Sequence, residues 1–235
     1  MVKVYIAQKD KYTFEQLVEI IRILRSPGGC PWDREQTHKS IRNEFIEETY
    51  EAADAIDREN STDLCEELGD VLLQILLHAQ MASEKEGYDI SDVIDGIARK
   101  MILRHPHVFG DVKAETTEAV LKNWDNIKRE EKHQLTLTDT LKSVPMSYPS
   151  LMRAAKVQKR ADKAGFTFET DDELIAKAQK KLQNIKNGDT DSFGELLFTI
   201  VTMSRNKGVD CEETLNRVTS EFIREFEIKE RLGEI

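Results

Sequence analysis

Apolar side chains recur at spacings of three and four along almost the whole chain, and no stretch alternates with period two for long enough to make a strand. The pattern predicts an all-α protein. A capping box at Thr13 to Gln16 opens a first helix with Phe14, Leu17, Val18, Ile21 and Leu24 facing inward, and Ser26, Pro27, Gly28 and Gly29 close it. A loop, Cys30-Pro31-Trp32-Asp33, follows. A second helix is predicted over about 38–59, with Ile41, Phe45, Thr49, Ala52 and Ile56 as its buried stripe. The cluster Asn60-Ser61-Thr62-Asp63 caps a third that runs to about Glu84 and buries Leu64, Leu68, Val71, Leu72, Ile75 and Ala79. So short a link makes the two helices pack antiparallel. A fourth helix, Ser91 to His105, stops at Pro106.

Beyond it, Thr116 to His133 reads as a charged helix holding Trp124, and Leu135 to Pro149 as a connecting segment. The pattern then begins again. Gly87-Tyr88-Asp89-Ile90-Ser91-Asp92 is echoed by Gly208-Val209-Asp210-Cys211-Glu212-Glu213, and Leu68-Gly69-Asp70-Val71-Leu72-Leu73 by Phe193-Gly194-Glu195-Leu196-Leu197-Phe198. These landmarks mark a weak internal duplication of one helical unit.

With 39% hydrophobic and 33% charged residues over 235 positions, the chain is a globular protein with a full core. The net charge of −10, with no Lys/Arg cluster, excludes a nucleic-acid groove as the main function. Met1 to Asp10 has no apolar core, and the most apolar stretch, Val71 to Ala79, is short and contains Gln74 and His78. Neither a signal peptide nor a membrane span is expected. Cys30, Cys65 and Cys211 are far apart and outside any CxxC pair, the thiol usage of a reduced cytoplasm without a zinc site.

The charge becomes informative where it is placed. Glu47, Glu48 and Glu51 lie on the second helix, Glu67 and Asp70 on the third. At 3.6 residues per turn, Glu48 lies about 40° around its helix from Ala52, and Glu67 stands in the same relation to Val71. The pairs Glu48/Glu51 and Glu67/Asp70 therefore project from the edges of two facing stripes and can converge. A solvated acidic face accounts for Glu44, Glu59 and Glu66. It does not account for four converging carboxylates, since two such charges about 6 Å apart repel by roughly 3 kcal/mol at an effective dielectric of 20. A bound cation removes the conflict. The donors are all hard oxygens, which points to Mg²⁺ or Mn²⁺ rather than zinc, and the absence of an ExxH pair argues against a di-iron bundle. Gly69, in mid-helix, is expected to let the two helices approach closely.

Lys100 and Arg104, four apart on the fourth helix beside the core positions Ile97 and Met101, form a basic pair suited to a phosphate chain. Trp32, Arg34 and His38 precede the second helix and are placed to line a base pocket, although Trp32 taken alone reads as core. The residues by themselves leave two classes open: an enzyme acting on a phosphate chain, or a non-catalytic helical assembly in which the carboxylates hold a structural cation.

The chain resembles the MazG family of nucleoside triphosphate pyrophosphohydrolases. The resemblance rests on Glu47-Glu48-Thr49-Tyr50-Glu51 followed by Glu67-Leu68-Gly69-Asp70, an EExxE and ExxD signature. It is flanked by Gly28-Gly29-Cys30-Pro31-Trp32-Asp33-Arg34-Glu35-Gln36-Thr37 and by Arg104-His105-Pro106-His107-Val108-Phe109-Gly110-Asp111, strings typical of two-domain members. The resemblance implies tandem helical bundles assembled as an intertwined homodimer, and Mg²⁺-dependent hydrolysis of a nucleoside triphosphate to the monophosphate and diphosphate. Base-selective relatives acting on dCTP, dUTP or phosphoribosyl-ATP belong to the same neighbourhood. By family pattern Glu48, Glu51, Glu67 and Asp70 are metal ligands and Glu47 an outer-shell group or base, beside the substrate contacts read above from Trp32, Arg34, His38, Lys100 and Arg104. In the repeat, Lys180-Lys181-Leu182-Gln183-Asn184 stands where EExxE belongs, Ser192-Phe193-Gly194-Glu195 where ExxD belongs, and Glu221 opposite Lys100. The expected organisation is a catalytic domain over 1–112, a helix and connecting segment over 113–148, and a degenerate, non-catalytic domain over 149–235.

Overall fold

The computed structural model of the protein describes residues 10–114, 116–131 and 136–235, which contain twelve helices and no strand. Residues 132–135, which hold the end of the expected charged helix and the start of the connecting segment, and residues 1–9 lie outside the described residues. The chain divides into two compact units, Met1–Trp124 and Asp125–Ile235. The division falls inside the helix that follows the fourth amphipathic one.

In the first unit, α1 (Phe14–Arg25) opens on the expected Thr13/Gln16 capping box. Its Ile21 joins Ile41, Leu76, Leu77 and Met81 in a buried cluster, with Leu17, Val18 and Leu24 packed against it, while Phe14 is 39% exposed. The chain leaves α1 so tightly that a Cβ on Gly29 would sit 2.2 Å from the carbonyl oxygens of Ile23 and Leu24, so only glycine fits. The segment expected as a loop is a short helix, α2 (Pro31–Glu35), with proline in its first turn. Buried Arg25 fastens it: the guanidinium makes two bonds to Glu84, at 2.8 and 2.9 Å, and donates to the carbonyls of Asp33 and Gln36.

Helices α3 (Arg42–Asp57) and α4 (Ser61–Lys85) form an antiparallel hairpin, followed by α5 (Ile90–Arg104), α6 (Pro106–Phe109) and α7 (Thr117–Glu131). α3 starts four residues later than the spacing predicts, because Thr37 and Ser40 exchange side-chain and backbone hydrogen bonds that hold a turn ahead of it. The Asn60 side chain accepts from the amides of Thr62 and Asp63 to cap α4, and Arg58 bridges Asp54 and Asp63, both at 2.7 Å, across the link.

Three sequence expectations change here. Ala52 and Ala55 are the buried residues of α3, whereas Thr49 is exposed, Ile56 is 58% exposed and, on α4, Leu68 is 54% exposed. The inward face of α3 therefore runs Ile41, Glu44, Glu48, Ala52, Ala55, which puts Glu48 within the stripe rather than at its edge. Gly69 does not mark a close helix approach: a Cβ there would meet nothing within 4 Å. Likewise Ile97 of α5 is exposed, not core.

The second unit holds α8 (Leu137–Lys142), within the expected connecting segment, then α9 (Ser150–Lys163), α10 (Asp171–Lys186), α11 (Asp191–Asn206) and α12 (Cys211–Leu232). The duplication is visible in the backbone. Gly87 and Gly208 both take positive φ, 80° and 70°, just past α4 and α11. Asp89 and Asp210 then cap α5 and α12 by the same pair of bonds to following amides.

Candidate active site

The hairpin brings Glu48, Glu67 and Asp70 together: one carboxylate oxygen from each lies within 4.8 Å of the others, and all three are partly buried. Glu51, one turn on from Glu48, and Glu47 are exposed. Their charges still reach the cluster. Burial raises the Glu48 carboxyl above its ordinary value, and Asp70, Glu51, Glu67 and Glu47 raise it further. Glu67 is raised in the same way, by loss of water contact and then by Glu51, Asp70, Glu66 and Asp63. Because Glu67 stands close to solvent, the repulsion is screened well below the interior figure.

An all-oxygen set of this span suits a hard divalent cation, whose opposite octahedral ligands stand about 4 Å apart with bonds of about 2.1 Å. The residues present thus fit Mg²⁺ or Mn²⁺. Of the four carboxylates expected to converge, Glu48, Glu67 and Asp70 form the tight group and Glu51 stays outside it, and Glu44 is not the solvated residue its position on the helix suggests. Glu44 instead carries a buried Oε2 without a hydrogen-bond partner, one turn before Glu48 on the same face. On α4, one turn past Asp70, Gln74 is only 6% exposed and its Oε1 is likewise unpartnered. The signal was available in the spacing, Glu48 minus four and Asp70 plus four.

A polar seam thus continues from the carboxylates to His78, and His38 lies at its end. The two Nδ1 atoms are 2.7 Å apart and the rings stack at 5.0 Å, so one imidazole donates and the other accepts. His38 Nε2 also lies 3.1 Å from Glu86 Oε1. Burial, and then the neighbouring His38, lower the His78 pKa. Trp32, 57% exposed, and Arg34 project from α2, so Trp32 is not a core residue.

The basic pair is split. Lys100 is exposed on α5, whereas Arg104 is 8% exposed with its guanidinium 5.2 Å from the ring centre of Trp124, whose edge also meets His105 at 5.0 Å. Twenty positions separate Arg104 from Trp124, and nothing in the helical spacing announces that contact. Neither the cavity of about 540 Å³ among α9, α11 and α12 nor that of about 300 Å³ among α1, α4 and α5 is lined by Glu48, Glu67 or Asp70.

The MazG nucleotide pyrophosphohydrolase domain family matches residues 36–109, a span that contains all the carboxylates described. The chain is 40% identical over 226 residues to the nucleoside triphosphate pyrophosphohydrolase/pyrophosphatase MazG of Thermotoga maritima, covering 94% of this chain and 87% of that protein. It is 39% identical over 229 residues to the nucleoside triphosphate pyrophosphohydrolase of Escherichia coli K12, covering 93% and 87%. A Bacillus subtilis protein, YabN, is 41% identical over 224 residues, which is 92% of this chain and 46% of YabN.

Proposed function

The chain belongs to the MazG family, and we propose that its first unit is a Mg²⁺-dependent nucleoside triphosphate pyrophosphohydrolase that releases the monophosphate and diphosphate. The observation that carries this reading is the convergence of Glu48, Glu67 and Asp70 within 4.8 Å. Glu48, Glu51, Glu67 and Asp70 would hold the cation, which when bound supplies charge neutralisation for the phosphates and a more acidic water. Glu47, one turn before Glu51 and outside the tight cluster, is placed to orient the attacking water and accept its proton. Lys100 and Arg104 hold the outer phosphates, with Trp124 fixing the plane of the Arg104 guanidinium. Trp32, Arg34 and His38 face the nucleoside. No Gly-rich phosphate loop occurs in the chain, so the side chains of the hairpin and of α5 do the gripping.

The second unit lacks the ligand set and serves as a non-catalytic packing module. The exposed apolar residues of α5 (Val93, Ile94, Ile97, Ile102, Leu103) and of α12 (Phe222, Ile223, Phe226) support a homodimer, since exposed apolar residues gathered on one helix mark interaction surfaces. No helix among the described residues is long and apolar enough to cross a membrane. With free thiols at Cys30, Cys65 and Cys211, the reading places the enzyme in the reduced cytoplasm, clearing unwanted nucleotides from the pool.

Turnover in ¹⁸O-enriched water tests the reaction. Attack at the α-phosphorus puts the label in the monophosphate and none in diphosphate, in a reaction stopped by EDTA. Release of nucleoside diphosphate and orthophosphate, or label in the diphosphate, would overturn the assignment.

A further inference from the structure

The second unit carries a side-chain cation where the first crowds its anions. We infer that Lys181 is a built-in counter-ion that takes the place of a divalent cation and makes the α10–α11 hairpin independent of metal.

The register between the two hairpins follows from burial. Ile41 and Leu174, each seven residues before Glu48 and Lys181, are both 1% exposed. On the facing helices, Gln74 and Thr199, Leu76 and Val201, and Leu77 and Thr202 are buried at equal distances past Asp70 and Glu195. Lys181 therefore stands in the place of Glu48, and Glu195 in the place of Asp70. The Lys181 Nζ donates to the Glu195 carboxylate across the two helices. Its side chain is 18% exposed against 55% for Glu195, so the lysine stem packs within the hairpin and carries the ammonium to the carboxylate at its edge.

The remaining positions are closed as well. Ser192, in the place of Glu67, is fully buried and its hydroxyl donates to Asp189 at 2.7 Å. That bond first, and the charge of Lys181 as a smaller contribution, hold the Asp189 carboxyl below its ordinary value. The hairpin is also shorter: α10 ends two residues after Asn184, the counterpart of Glu51, whereas α3 continues for six. A tethered ammonium is present at every metal concentration, whereas a bound ion stabilises only as its concentration exceeds its dissociation constant. The two hairpins of one chain should therefore answer differently to metal.

The inference rests on reading Glu48, Glu51, Glu67 and Asp70 as a cation site. Amide hydrogen exchange of the full chain, in EDTA and in millimolar Mg²⁺, tests the two separately. In the wild type, Mg²⁺ raises protection of α3 and α4 and leaves α10 and α11 unchanged. Lys181→Gln lowers protection of α10 and α11 by about two- to fivefold, with or without Mg²⁺. Lys181→Glu combined with Asn184→Glu lowers it in EDTA and regains it in Mg²⁺. A Mg²⁺ response of α10 and α11 in the wild type, or wild-type protection in Lys181→Gln, overturns the inference, and the single variant decides even where the double one fails to fold. A first hairpin indifferent to Mg²⁺ would instead break the cation reading of the first unit.

Discussion

The α3–α4 and α10–α11 hairpins share a register of buried residues, a glycine in the left-handed region after the second helix and an aspartate cap on the next, yet they have settled opposite electrostatic problems. The first keeps Glu48, Glu67 and Asp70 within 4.8 Å, an arrangement whose mutual repulsion costs stability. The second has a lysine, paired with Glu195, at the position of Glu48. The scaffold tolerates both because the buried apolar residues that set it stand apart from the polar positions, Ile41 and Leu174 seven residues before them and Leu76, Leu77 and Val201 six or seven residues past them on the facing helices. Such a separation lets chemistry be lost from one copy while its fold is kept.

The largest effect that could break this contrast is on turnover. Glu67→Ala or Glu48→Ala should reduce nucleoside triphosphate hydrolysis to background, while Asn184→Ala and Gln183→Ala in the second unit leave kcat/KM within about twofold, since surface changes of this kind shift stability by no more than about 0.5 kcal/mol. Steady-state assays on purified variants decide it. Full activity in Glu67→Ala would remove the first unit from the chemistry.

The carboxylates were legible in the sequence because three-residue spacing on two linked helices leaves few ways to place them. The phase of the stripe was less legible. Ile56, Leu68 and Ile97 are apolar and periodic yet exposed, because these helices carry apolar residues on more than one side, and a hydrophobic pattern cannot say which side meets its own unit. Glu44 and Gln74 were missed for the converse reason, since polar side chains read as solvated until packing shows their oxygens shut away from water. The Arg104–Trp124 contact joins two helices through tertiary packing alone.

A middle-sized effect sharpens the comparison of cores. Leu76 and Val201 occupy matching positions, 2% and 0% exposed. Leu76→Ala should cost roughly 2–5 kcal/mol. Val201→Ala, which deletes two carbons instead of three, should cost somewhat less, at about 0.8 kcal/mol per buried methylene plus a cavity contribution. Amide exchange should show Leu76→Ala loosening α3 and α4 alone, and Val201→Ala loosening α10 and α11 alone. Loss of protection in both hairpins from either change would mean that the two units unfold as one block.

The smallest effect is the dependence on pH without metal, and its sign differs between the units. In the first, Glu48 and Glu67 have folded-state values raised by burial and by their neighbours, so the folded chain binds more protons than the unfolded one just above the ordinary carboxylate range. Their contribution is fully present below the unfolded value and is lost as pH rises through the raised folded one. In the second unit, Glu169 and Asp171 are lowered, chiefly by hydrogen bonds from Lys177 and Lys207. Their contribution is present above the unfolded value and is lost as pH falls through the lowered folded one. The first unit also contains opposing carboxyls, Glu15, Glu19 and Glu84, the last lowered chiefly by its bonds to Arg25, so the comparison is made against a variant rather than on the raw melting curve. In EDTA, acidification from neutral pH into the carboxylate range should stabilise the wild type relative to Glu48→Gln/Glu67→Gln, which has lost the two carboxyls with raised values. Over the same range the wild type should lose stability relative to Lys177→Met/Lys207→Met. Melting curves collected across that range check both differences. A pH-independent gap between the wild type and Glu48→Gln/Glu67→Gln would mean that the two carboxyls do not feel one another in the folded chain, and the electrostatic contrast between the hairpins would fail at its source.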